Sequence, residues 1–214
     1  DTVEEGSHAF LLPVALRTRL GDYDPPAIES ELTKIQSEID AIAFDLYGFT
    51  EADRKAASRQ SNVDQVAENE SVEDDAEDLK PEASTVDALL SWAVGVVFGR
   101  FDWRLATGER EAPPEPDPFD PLHSKSPGML PDGAEPFHTH SGILLDDQGH
   151  PHDLPRLVEE VLARVDVTVP EDVRRWLQRD FFTFHLQRYS KSRRKAPIYW
   201  LLSTTSGSYT LWVY

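Results

Sequence analysis

Trp92-Ala93-Val94-Gly95-Val96-Val97-Phe98 is apolar at every position, so a helix drawn through it leaves no face for water. Such a segment belongs in the middle of a protein core. It lies in a longer helical pattern that starts at Ser84 or Thr85, where a hydroxyl can cap the first turn, and is expected to run to about Ala106. Gly95 and Gly99, one helical turn apart, predict close approach by a neighbouring backbone. The run is shorter than the roughly 20 residues of a membrane span, so a soluble, cytoplasmic protein is expected.

Towards the N-terminus, Ala9–Leu16 is an apolar run that reads as a short strand or a docking segment. Pro25-Pro26 opens a helix at about Ala27, because proline is tolerated in a first turn. Asp24-Pro25-Pro26-Ala27 has a superficial likeness to the loop that holds a flipped adenine. It lacks the final aromatic that would stack on the base, and helix initiation is the better account. Along this helix Ile28, Leu32, Ile35, Ile39, Ile42 and Leu46 recur at spacings of 4, 3, 4, 3 and 4. That is a heptad-like seam, long enough to need a partner helix. Gly48 ends it, and Thr50 caps a short polar helix from Glu51 to about Arg59.

Towards the C-terminus, residues 112–136 hold eight prolines and predict an irregular loop. Gly142–Leu145 reads as a short strand, followed by an Asp146-Asp147-Gln148-Gly149 turn. Leu154, Leu157, Val158, Val161, Leu162 and Val165 mark an amphipathic helix. A further helix is expected from Pro170 to near Tyr189, with Val173, Trp176, Leu177, Phe181 and Phe184 inward. Ile198–Tyr214 predicts a β-hairpin turning at Ser203–Ser208. The fold class is therefore mainly α (α+β): a helical connector with a buried central helix, a short strand and a C-terminal β-hairpin. The expected organisation is a connector over 1–60, an acidic flexible linker or insertion over 61–84, and a helical core with the proline-rich loop, basic segment and hairpin over 85–214.

Charge is unevenly spread along the 214 residues. Asp and Glu number 39 against 21 Lys and Arg, a net charge of −18, which excludes a uniformly basic nucleic-acid clamp. Ser61–Ser84 holds nine acids and Lys80 alone among bases, with too few large apolar residues to offset chain ordering. From Val173 onward there are eight bases and one acid, so the tail carries +7 and residues 1–172 carry −25. The absence of cysteine excludes a disulfide scaffold, a thiolate metal site and a cysteine nucleophile. Asp1 in place of an initiator Met, and an end inside a predicted strand at Tyr214, suggest a piece of something larger.

Catalytic motifs are sparse. His138-Thr139-His140 and His150-Pro151-His152 have the residue type that suits zinc or nickel, but solvent-facing histidines in a Pro/Gly loop account for them better. No phosphate-cradling glycine motif and no nucleophile motif occurs, so no catalytic, cofactor-binding or metal-ligating residue is assigned. The basic tail is the most informative feature. Arg188, Lys191, Ser192, Arg193, Arg194, Lys195, Tyr199 and Trp200 are the candidate DNA-binding residues: cations and hydroxyls suit phosphates, and aromatic rings suit stacking or packing. A solvated helix end whose cations complement the dipole is the competing account.

Several stretches together resemble the adenine-specific DNA methyltransferases of the PglX type (BREX phage defence) and the related DISARM and type IIG restriction–modification enzymes. They are Gly6–Pro13, Glu38–Gly48 with Asp53-Arg54, Leu90–Asp102, Gly142–Asp147, Asp180-Phe181-Phe182 and His185–Trp200, in the order such enzymes show. The resemblance implies a parent enzyme that carries S-adenosylmethionine and an NPPY-type motif and methylates N6 of a flipped adenine. This chain has neither an intact NPPY motif nor a cofactor glycine motif, so it resembles a region downstream of the catalytic domain and holds no cofactor itself. The acidic stretch 61–84 departs from the pattern.

Two functions follow as expectations. In one, the chain is a non-catalytic DNA-positioning, target-recognition-associated region that contacts double-stranded DNA through its basic C-terminal segment. In the other, it is a structural connector that docks the catalytic domain of the parent protein or other defence-system subunits through the Ile28–Leu46 seam. Neither involves a membrane.

Overall fold

The computed structural model describes residues 2–50, 52–53, 55, 81–114, 119, 121, 124–170, 172–191, 194–205 and 209–214, with the backbone alone at 81–84, 190–191 and 194–195. Among these residues the protein is mainly helical, with seven helices and a small antiparallel sheet that includes the C-terminal strands. The chain divides into two compact units, one of residues Asp1–Tyr23 with Lys80–Tyr214 and the other of Asp24–Leu79.

The first unit is built around α3, Pro81–Val97 (α1, Val14–Leu20, and α2, Pro25–Leu46, precede it in the chain), as the apolar heptapeptide requires. Leu90, Trp92, Ala93, Val94, Val96 and Val97 are fully buried. The helix ends nine residues before the expected Ala106. Gly99 adopts a left-handed backbone (φ 71°), its N–H bonds the Val96 carbonyl, and the Arg100 N–H reaches back to Gly95 at 2.8 Å. This pair of bonds is a Schellman stop. A separate short helix, α4 (Arg104–Thr107), follows. Gly95 makes room for a side chain instead of a backbone: a Cβ there would stand 2.3 Å from the Phe101 ring.

Around α3 pack α1 (Val14–Leu20), α5 (Leu154–Arg164) and α7 (Phe181–Arg188), with α6 (Val173–Arg179) between the last two in the chain. Ala9–Leu16 is not a paired strand. Phe10 and Leu12 are buried from an extended segment, the Phe10 carbonyl accepts from Gly128 N at 2.8 Å, and α1 begins after Pro13. The amphipathic pattern at 154–165 is borne out, with its six apolar positions buried in the core. The single helix expected over 170–189 is two: Asp172 caps α6 by accepting from Arg175 N at 3.0 Å, and the chain bends at Asp180. The bend lets Trp176 and Phe181 both face inward, with ring centroids 5.3 Å apart.

The sheet comprises β1 (Ile143–Leu145), β4 (Trp200–Ser203) and β5 (Thr210–Val213) in the order β1-β5-β4, antiparallel throughout. The strand and the hairpin expected from sequence are both present. Ile143 pairs with Val213 and Val213 with Trp200, so these three form one row across the sheet. Leu144 and Trp212, one residue on, are buried on the opposite face. Two-residue strands β2 (Ser190–Lys191) and β3 (Arg194–Lys195) pair with each other apart from this sheet.

The second unit contains α2 (Pro25–Leu46). Asp24 caps it by accepting from Ala27 N at 3.2 Å, in keeping with helix initiation by Asp-Pro-Pro. Thr50 and Asp53 then form a reciprocal capping box: the Asp53 carboxylate accepts from Thr50 N and Oγ1 at 2.8 and 2.6 Å. The rest of the helix expected to Arg59 lies outside the described residues, as does the acidic stretch up to residue 80. Residues 81–84, expected to close that linker, already belong to α3. Residues 2–23 belong to the first unit, so the connector expected over 1–60 is divided between the two units. Among the described residues no helix is long and apolar enough to cross a membrane.

Candidate functional site

The basic segment leaves the core at the end of α7 and is steered by histidine. His185 is buried, and its Nε2 accepts from the backbone N–H groups of Ile198 at 2.8 Å and Tyr199 at 3.2 Å. Its proton therefore sits on Nδ1. Burial, with the Arg100 charge second, lowers its pKa from 6.5 to about 4, so the ring is neutral near pH 7. Between these anchored ends the chain makes the β2–β3 hairpin, with Ser190 opposite Lys195 and Lys191 opposite Arg194.

Behind the hairpin lies a buried polar cluster. The Glu5 carboxylate accepts from Ser91 Oγ at 2.7 Å and from Tyr189 Oη at 2.7 Å, and it pairs with Arg100 at 3.1 Å. Arg100 also donates to the Tyr189 hydroxyl, and its guanidinium lies 4.6 Å from the Phe101 ring centroid. Burial, then the Glu5 charge, pushes the Tyr189 phenol above its ordinary range. Arg100 is covered by its partners, so the cluster binds the first residues of the chain to α3 and to the base of the hairpin.

The eight candidate DNA-binding residues fall into three groups. Ser192 and Arg193 lie outside the described residues, and Lys191, Arg194 and Lys195 are placed by backbone only. Arg188 ion-pairs with Glu4 at 2.6 Å and covers the Phe184 ring, with its guanidinium carbon 4.8 Å from the centroid. Tyr199 is completely buried, stacked on Phe98 at 4.9 Å, so base stacking by Tyr199 would require the core to open. Trp200, by contrast, is 54% exposed and stands beside Ile143 and Val213 on the outer sheet face. Leu202 is exposed on the same face.

Other charged groups are tied down in the fold. Arg174 pairs with Asp146 and with buried Asp153, the latter at 2.7 Å. Buried Asp102 holds Arg104 at 2.7 Å and Arg110 at 2.9 Å. Sequence reasoning missed these clusters because each joins residues distant along the chain or in a loop without periodicity. The two His-x-His pairs do meet: His138 Nε2 and His152 Nδ1 share a hydrogen bond at 2.9 Å. Among the described residues there is no group of three or more His, Asp or Glu that could hold a metal ion. A cavity of about 420 Å³ is lined by Trp103, Arg104, Glu135, Pro136, Phe137 and Arg164. The Arg164 guanidinium lies 4.4 Å above the Trp103 ring in it and pairs with Glu109.

A long exposed apolar stripe lies on α2. Ile28, Leu32, Ile35, Ile39, Ile42 and Leu46 are between 41% and 78% exposed, and no residue of that helix is buried. Comparison with protein-family models, curated proteins and solved structures finds no match.

Proposed function

We propose that this chain is a non-catalytic connector that docks another protein through α2, within an adenine-specific DNA methyltransferase system of the BREX, DISARM or type IIG kind. The exposed Ile28–Leu46 seam carries this reading. Soluble proteins seldom leave such a stripe in water unless something covers it. The resemblance of the six sequence stretches supplies the system, and S-adenosylmethionine belongs to its catalytic domain. The test is co-purification of the chain with an adenine methyltransferase domain encoded in the same reading frame or operon. Leu32→Glu/Ile39→Glu is expected to abolish the association while leaving the far-ultraviolet circular dichroism of the chain unchanged. Association that survives both substitutions refutes α2 as the contact.

A second reading, DNA positioning, is favoured by the cationic C-terminal segment, where eight bases accompany one acid. Exposed Arg175 and Arg179 on α6 add to the basic residues of the hairpin. Duplex DNA should then bind at low salt, weaken steeply as salt rises, and lose affinity on Arg193→Ala/Arg194→Ala. Absence of low-salt binding by the chain, with unchanged DNA affinity of the double variant in a larger assembly, removes this reading.

A further inference from the structure

The charges that border the α2 seam specify what can cover it. With Leu32, Ile39 and Leu46 at heptad position a, and Ile28, Ile35 and Ile42 at d, the g positions are Glu31, Glu38 and Asp45. The e positions are Glu29, Gln36 and Ala43. Lys34, the only base in the helix, falls at c, away from the seam.

Flanking e and g residues set partner choice in paired helices. In a parallel pair of two α2 helices, g of one faces e of the other. Glu31 then meets Gln36, Glu38 meets Ala43, and no attraction forms. In an antiparallel pair g faces g, and the acidic column is set against itself. Neither arrangement supplies a cation, and like charges brought together oppose association. The seam adds a second obstacle to a simple self-pair. Ile at every d position, with Leu at two of the three a positions, reverses the arrangement that favours two parallel strands.

We propose that α2 docks a helical partner whose apolar seam is bordered by Lys or Arg, and that it does not pair with a second copy of this chain. This rests on the docking reading above and names the chemistry of the partner. The apolar seam supplies the contact, and the acidic g column, reinforced by Glu29 at the N-terminal end, selects against acidic and neutral helices. About 33 Å of helix is available, from 22 residues at 1.5 Å each.

The test titrates the 214-residue chain into three-heptad synthetic helices that share one Leu/Ile seam and carry Lys, Gln or Glu at every e and g position. A fourth peptide keeps the Lys flanks and replaces the seam with Ser. The Lys-flanked apolar helix is expected to bind roughly ten-fold or more tighter than the Glu-flanked one, with the gap narrowing as salt is raised. Leu32→Glu/Ile39→Glu should abolish that binding. Equal binding of the Lys, Gln and Glu helices overturns the charge selection while leaving the docking reading in place. Equal binding of the Ser-seam peptide also overturns it, by showing general attraction to an acidic protein. A sedimenting dimer that Leu32→Glu dissociates assigns the seam to a second copy and overturns the proposal. If no peptide binds and hydrogen exchange finds α2 no better protected with any of them, the docking reading fails as well.

Discussion

The helices α2 and α3 are both long, both rich in large aliphatic residues, and opposite in use. In α3 the apolar residues run round the helix and are buried without exception through its C-terminal half. In α2 the six large aliphatic residues from Ile28 to Leu46 form one stripe, bordered by acids, and all six are exposed. Apolar content alone therefore does not say where a helix ends up. Its angular distribution does: an all-round apolar surface is satisfied only in the middle of a core, whereas a stripe can be satisfied by any single neighbour.

The contrast can be broken most forcefully at Trp92. Trp92→Ala should cost about 3–5 kcal/mol of unfolding free energy, measured by urea titration followed by fluorescence or circular dichroism. If α3 tolerated that loss at small cost, the core would be centred elsewhere. Next comes the polar side of the same core. Glu5→Ala leaves Arg100 and the Tyr189 hydroxyl buried without their carboxylate, and is expected to cost about 3 kcal/mol in the same titration. Gly95→Ala pushes a methyl group against the Phe101 ring, and about 1–3 kcal/mol is expected from the overpacking.

Acid sharpens the picture further. The folded-state pKa of His185 lies below its unfolded value, so between about 6.5 and about 4 the unfolded chain takes up the proton and the folded chain does not. Stability should therefore fall as pH drops through that window. His138, lowered by burial and then by His152, and His140, lowered by burial, act in the same direction. His185→Gln should flatten the slope of a pH-dependent urea midpoint, and an unchanged slope would assign the effect to other groups. The smallest effect belongs to α2: Leu32→Glu/Ile39→Glu should shift the unfolding of the core unit by no more than about 0.5 kcal/mol. A larger loss would mean that the stripe is used inside the chain.

Much of this contrast was legible in the sequence. The spacing of Ile28 through Leu46, the apolar centre of α3 and the alternation around Leu144 each depend on local periodicity, which one chain displays in full. The end of α3 was less legible, because Gly99 could equally have been a small residue within a longer helix. Only its positive φ and the Arg100–Gly95 bond decide the matter. The bend at Asp180 was hidden because α6 and α7 present inward residues at spacings that continue across it. Among the candidate site residues, nothing in the local pattern separates Tyr199 from Trp200. They are neighbours where the chain enters β4, and Tyr199, just before the strand, is buried while Trp200, its first residue, is exposed. The Glu5 cluster left no local signal, because its members are brought together only by the tertiary fold.

That last cluster has a consequence for the order in which the molecule can assemble. Glu4 and Glu5 are synthesised long before the partners that hold them, Arg188 and Tyr189, which stand 184 positions later in the chain. Phe10, Leu12 and Leu16 likewise wait for α3 before they have a core to enter. On the ribosome the N-terminal segment therefore emerges early and is secured late, after the whole acidic tract has been made. Contacts of such long sequence separation slow folding, since the loop must close before they can form. The stripe of α2 is meanwhile made long before α5, α6 and α7, so it is present in the unfinished chain before the core can close.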